Sequence, residues 1–173
     1  MVSDITYIVK REKPCYLSLI TYSNKIVGYN VSDNLNTESS LTALRLALKQ
    51  RKNKEILLIH HSDSGLQYCA NEYQKILSKN DIQPSMTQNS DPYENAVAER
   101  INGILKQEFY IDKYNKDLPI MKQIIKETVV IYNVKRPHLS NQMLTPNQMQ
   151  EQNKLIMKTY KNKNSCKNAL ATV

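Results

Sequence analysis

The sequence predicts an α/β fold, a mixed five-stranded sheet flanked by helices, from three observations. Residues 5–31 hold three β-branched and aromatic runs joined by connections too short for a crossover, which makes an antiparallel meander. At Thr37 the apolar period switches from strand-like to helix-like. Beyond that point the patterning alternates helix, strand, helix, strand, and ends in helices.

In order, Ile5–Val9 is the first strand, and Asp4 opens it. The charged stretch Lys10 to Pro14 is a turn. Cys15–Thr21 is the second strand, Ser23-Asn24-Lys25 a tight turn, and Ile26–Val31 the third strand. Thr37–Arg51 carries Leu41, Leu44 and Leu48 on one face of a helix, with Asn36 or Thr37 as its cap. Ile56-Leu57-Leu58-Ile59 is apolar throughout, as a central strand covered on both faces should be. Asn71–Lys79 is helical and Ile82–Met86 a fifth strand. The polar segment from Thr87 to Tyr93 is rich in turn formers.

Pro92 or Tyr93 starts the next helix, with Asp91 at its positive end and Val97, Ile101, Ile104, Leu105 and Phe109 toward the core. Glu99, Asn102 and Lys106 lie along its other side. Leu118–Val134 is a further helix, with Ile120, Ile124, Ile125 and Ile131 as its apolar positions, and Arg136-Pro137-His138 ends it. Thr145-Pro146 caps a last short helix. Residues 1–150 form one domain, and 151–173 read as a basic, flexible tail.

Composition excludes several classes. The three cysteines, Cys15, Cys69 and Cys166, show no Cys-x-x-Cys spacing, hence no disulfide framework and no zinc knuckle. No apolar run approaches membrane-spanning length, so no membrane partner is expected and a soluble cytoplasmic protein fits best. The charge is divided unevenly. Residues 1–99 hold 11 Lys+Arg against 11 Asp+Glu, while residues 100–173 hold 13 against 5, which places the whole net charge of +8 after Glu99. A basic half beside an acidic cluster suits a polyanion held next to a metal site.

That cluster is Asp4, Asp63 and Glu99. Asp63 follows the apolar run, with Gly65 two residues on, and Glu99 lies on a helix beyond a gap of 35 residues. Singly each has an ordinary reading, as a strand-end polar residue, a turn and a solvated helix acid. Jointly they can converge. Three close carboxylates repel by about 4 kcal/mol per pair at ~4 Å in an effective dielectric near 20, so protons or cations must offset them. Oxygen-only ligands suit Mg²⁺ or Mn²⁺, and a pair of such ions supports in-line displacement at a phosphodiester. Asp91 and Glu94 are rival acids nearby.

Seven segments occur in order: Asp-Ile-Thr-Tyr-Ile (4–8), Lys-Ile-Val-Gly-Tyr (25–29), His-Ser-Asp-Ser-Gly-Leu-Gln-Tyr (61–68), Asp-Pro-Tyr-Glu-Asn-Ala-Val-Ala-Glu (91–99), Leu-Lys-Gln-Glu (105–108), Tyr-Asn-Val-Lys-Arg-Pro-His (132–138) and Leu-Thr-Pro-Asn-Gln (144–148). Together they resemble the catalytic region of bacterial insertion-sequence transposases related to retroviral integrase, in particular the family made by frameshift fusion of two reading frames. The resemblance implies a ribonuclease H-like fold with strand order 3-2-1-4-5. It implies that Asp4, Asp63 and Glu99 are the catalytic, metal-binding triad, holding Mg²⁺ or Mn²⁺ as two ions. Water and then a 3′-hydroxyl would attack DNA at transposon ends and target.

The resemblance also places Lys106 at a basic position linked to terminal DNA. Asn102, His61, Arg136 and His138 are further candidate DNA contacts. His61 could alternatively orient Asp63; as a ligand of a hard metal it is a poor match. A homo-oligomer, at least a dimer, in a bacterial cytoplasm and associated with the nucleoid, is implied as well. Members usually carry helix-turn-helix segments before the core, whereas this chain starts three residues before Asp4, so an excised core, a truncated gene product or a remnant is expected. Gln88 stands where a basic residue is common. Two other readings stand beside this one: a ribonuclease H or resolvase-like nuclease, and an inactive truncated remnant that binds DNA through its basic half.

Overall fold

The structure, a computed structural model, describes residues 1–9, 14–87 and 95–152. The Lys10–Lys13 part of the first turn, Gln88, Asp91, Glu94, the helix start at Pro92 or Tyr93 and the basic tail lie outside the described residues.

The sheet has five strands in the order β3-β2-β1-β4-β5. Strands β1 (Val2–Val9), β2 (Cys15–Tyr22) and β3 (Lys25–Ser32) run antiparallel, while β4 (Leu58–Ser62) and β5 (Ile82–Met86) continue the sheet in parallel from β1. Ser23 and Asn24 join β2 to β3 with φ of 48° and 64°, the left-handed pair that a two-residue hairpin requires.

Helix α1 (Thr37–Lys49), capped by the Asn36 side chain on the Ser39 amide, packs on β3 and β2. Gly28 permits the close approach: a Cβ there would strike the Ala43 carbonyl oxygen and lie 2.9 Å from the Ala47 Cβ. A one-turn helix α2 (Leu66–Cys69) leads into α3 (Asn71–Lys79). Helix α4 (Ala96–Gln107) crosses β1, α5 (Leu118–Val134) lies on β3, and α6 (Pro146–Glu151) begins in a Thr145–Gln148 capping box.

The core is split by the sheet. One face joins Leu17, Leu19 and Val31 to Ile101, Leu105, Met121, Ile125 and Tyr132 of α4 and α5. The other joins Ile20 and Val27 to Leu41, Leu44, Tyr68, Tyr73 and Leu77 of α1 to α3.

The fourth strand differs from its expected position. It runs Leu58–Ser62 rather than 56–59, and Ile56 (62% exposed), Leu57 (69%) and Ile59 (50%) are not covered. The buried positions are instead His60 and Ser62. A polar network makes this possible: His60 Nε2 lies 3.0 Å from Tyr73 Oη and 3.2 Å from Ser3 Oγ. Two helix faces also differ. Val97, Ile120 and Ile131 are exposed, and α5 buries Met121, Ile125, Thr128, Val129, Tyr132 and Asn133. Asn133 is inward because it completes an unpaired segment of β3: its Oδ1 accepts from Ile26 N–H and its Nδ2 donates to Ile26 C=O.

Burial, with the nearby chain-terminal charge and His61, holds His60 down at about pKa 3. A group depressed on folding contributes stability above its unfolded value, near 6.5, and loses it as pH falls toward the folded one. Urea titrations should therefore show stability dropping between about pH 6.5 and 3. His60→Gln should show a flatter profile across that window; an unchanged profile would remove His60 from the account.

Candidate active site

Asp4 is the third residue of β1, on a strand paired on both sides by β2 and β4. Its side chain faces α4, where Asn102 Nδ2 donates to its Oδ2 at 2.6 Å. Ser3, the residue before, points through the sheet to His60. The Asp4 carboxyl is pushed up to about 6, first by burial and further by the charges of Asp63 and Glu99, against hydrogen bonds from Asn102 and the Ile5 amide. The charges of the two other acids of the expected cluster thus reach Asp4.

Asp63 stands just past the end of β4 and is exposed. Its Oδ1 accepts from the Gly65 amide at 3.2 Å, a local turn bond. A Cβ at Gly65 would sit 3.0 Å from that same oxygen, so glycine leaves the carboxylate room. Glu99 is in the first turn of α4, also exposed. Among the described residues no three His, Cys, Asp or Glu side chains are close enough to form a preassembled metal cage. The difference from the charge coupling at Asp4 is one of distance: Coulomb repulsion reaches further than a coordination shell, and two of the three acids are at the surface.

Two buried polar atoms around Asp4 and Asp63 are without a hydrogen-bond partner among the described residues, Asn102 Oδ1 and His61 Nε2. His61 Nδ1 lies 2.9 Å from Ser85 Oγ of β5. An oxygen-rich donor set with unsatisfied polar atoms beside it fits a hydrated hard cation.

The sequence places Asn102 beside Lys106 as a DNA contact; in the structure it is only 5% exposed and bonded to Asp4. Lys106 is half-buried in the last turn of the same helix. Arg136 and His138 are also occupied within the chain. Arg136 Nε and Nη2 donate to both carboxylate oxygens of Glu108 at 2.7 and 2.5 Å, and its Nη1 donates to Pro137 C=O. His138 is 6% exposed, its ring against Tyr132 at 5.0 Å between centroids. Tyr132 Oη donates in turn to Asn24 C=O in the β2–β3 turn.

The Leu-Lys-Gln-Glu and Tyr-Asn-Val-Lys-Arg-Pro-His segments therefore brace the end of α4 against α5 and the hairpin. Their spacing in sequence could not reveal a fork that closes between residues 108 and 136. Arg136→Lys, which keeps the charge and loses the fork, should lower the melting temperature by a few degrees; an unchanged value would show the brace to be dispensable.

Residues 1–92 match the family described as Integrase core domain, and residues 80–146 match a second family with the same description. The chain belongs to the integrase core domain family. This integrase core is 32% identical over 143 residues to the insertion element IS600 uncharacterized 31 kDa protein of Shigella sonnei, covering 79% of this chain and 51% of that one. It is 29% identical over 155 residues to the transposase for insertion sequence element IS904 of Lactococcus lactis, covering 88% and 61%. The core thus spans between half and two thirds of the length of these relatives. Its fold matches the HTLV-2 integrase catalytic core domain in complex with magnesium, with a TM-score of 0.61 at 17% identity over 86% of this chain and 93% of that one. That likeness identifies the sheet as the ribonuclease H-like fold, in the strand order expected from the sequence. No helix among the described residues is long and apolar enough to cross a membrane.

Proposed function

We infer that this integrase core is the catalytic part of an insertion-sequence transposase, cutting and joining DNA phosphodiesters with divalent metal. One observation carries the reading: the partly buried Asp4 carboxylate on a central strand, held by Asn102 and repelled by Asp63 and Glu99. Relatives that are named transposases and a magnesium-bound structural neighbour support it.

In this reading Asp4, Asp63 and Glu99 hold Mg²⁺ or Mn²⁺ as two ions. When bound, the ions supply Lewis-acid activation of the attacking oxygen and stabilise the leaving oxygen. The chain supplies the frame. Asn102 and the Ile5 amide orient the Asp4 carboxylate, which would offer its remaining lone pairs to the metal. The Asp63 carboxylate is placed by its bond to the Gly65 amide. Lys106, two turns along from Glu99, meets a DNA phosphate as a point charge. The positive excess after Glu99 draws the polyanion, so affinity for DNA should fall steeply with salt. Transposon ends and target are the substrates, and two ends imply at least a dimer, in the bacterial cytoplasm beside the nucleoid.

The test is cleavage and joining, with Mn²⁺, of DNA carrying the ends of the element that encodes the chain, beside RNA–DNA hybrid and junction substrates. Activity on the ends that Asp63→Asn abolishes is expected. Preference for hybrids or junctions would place the chain among nucleases, and no activity on any substrate would make it a DNA-binding remnant.

A further inference from the structure

At the end of the sheet where β4 begins lies a cavity of about 690 Å³, whose lining includes none of the three acids. Leu58 on its wall is five residues before Asp63, about 16 Å along the strand at ~3.3 Å per residue. Val27, Ala47, Ile56, Leu58 and Met149 make its apolar side. Lys25, Lys49 and Lys52 stand around it, with Glu151 as the acid among its lining residues. Lys25 is partly desolvated there, and the charge of Lys52 opposes its own.

The wall is built. The Arg51 guanidinium donates to four carbonyl oxygens, of Asn53, Lys54, Ile56 and Asn80, at 2.6 to 3.1 Å. Those bonds hold the loop that presents Ile56, and they occupy Arg51, which leaves the lysines as the anion-binding charge. An exposed isoleucine on a braced loop, lining the same cavity as three lysines, calls for a ligand with an apolar face and an anionic end.

We propose that this cavity binds an unpaired nucleotide, its base against Ile56 and Leu58 and its phosphate between Lys25 and Lys52. The choice of a nucleotide rests on the reading of the chain as a DNA-acting core. A paired base is stacked within its duplex and cannot present a face to the wall, so the site takes single strands. A free mononucleotide and a nucleotide within a strand share this chemistry.

The test is fluorescence anisotropy with labelled oligothymidylate on the full chain in EDTA, with thymidine monophosphate as competitor. Binding is expected to fall at least tenfold in Lys25→Gln/Lys52→Gln and in Ile56→Asp, each with an unchanged melting temperature. Lys75→Gln/Lys79→Gln removes the same charge from α3 and should stay within about twofold. Competition by the mononucleotide at micromolar concentration would assign the site to free nucleotides, and its absence to a strand. Equal losses in both lysine pairs, or no loss in Ile56→Asp, would overturn the proposal. So would binding that appears only in Ile156→Asp, since the chain's own Leu155-Ile156-Met157 would then be the occupant. The assay in EDTA reads binding and not cleavage, and it compares variants that leave the three acids and Lys106 intact, so its failure is separate from any failure of DNA cleavage.

Discussion

Asp4→Asn should give a chain more stable than the natural one at pH 7 and without metal-dependent DNA cleavage. The folded state raises this carboxyl from 3.8 to about 6. A carboxyl raised on folding binds its proton more tightly in the native state, so stability falls as pH rises through that window and stays low above it. The loss is roughly 3 kcal/mol at pH 7 in metal-free protein. Asparagine carries no charge to desolvate or repel. Urea titrations of the two proteins at pH 4 and pH 7 should therefore separate only at the higher pH. Cleavage should fall on the order of 10³-fold, because one of three metal ligands is gone. A variant less stable at both pH values would show that Asp4 is structural.

Gly28→Ala should be the most damaging single-methyl change in the described fold. The added carbon meets the Ala43 carbonyl oxygen, which is helix backbone and cannot rotate away. Overpacking of well-filled cores costs about 1–3 kcal/mol, and a backbone clash belongs at or above the upper end. Helix α1 would have to lift from β3 and β2, opening the Leu41 and Leu44 core. The expected result is a drop of at least 10 °C in melting temperature, or loss of soluble protein. A drop below about 3 °C would mean that the helix shifts without cost. Gly103→Ala is the control, since a Cβ there meets nothing within 4 Å.

The two glycines show where sequence reasoning ran out. Gly28 and Gly103 sit in strand and helix patterns alike, and only the packing of α1 tells them apart. The meander was readable because hairpins are local, and α1 and α3 because their apolar residues recur on one face; α5 was readable as a helix but not for the face it buries. The fourth strand misled because hydrophobicity was taken for burial. Ile56 and Leu57 fall in a loop held by Arg51, whereas His60 is buried by bonds to Ser3 and Tyr73 that lie far away in sequence. The acids read as a set from the 35-residue gap and Gly65, and the charges of Asp63 and Glu99 both bear on Asp4. Asn102 was placed on the right helix, but its bond to Asp4 was not foreseen, because helical spacing does not say that its turn faces β1. The fork from Arg136 to Glu108 and the packing of His138 on Tyr132 were likewise not legible in the sequence.

The most direct measurement of the central claim is a thermal melt with and without Mn²⁺. A metal that binds only the folded site stabilises it by RT ln(1 + [L]/Kd), about 2.7 kcal/mol at a hundredfold excess over Kd. If Asp4, Asp63 and Glu99 form one site, millimolar Mn²⁺ should raise the melting temperature of the natural chain by several degrees, and neither Asp63→Asn nor Glu99→Gln should respond. No shift in the natural chain, or the same shift in both variants, would contradict a shared site.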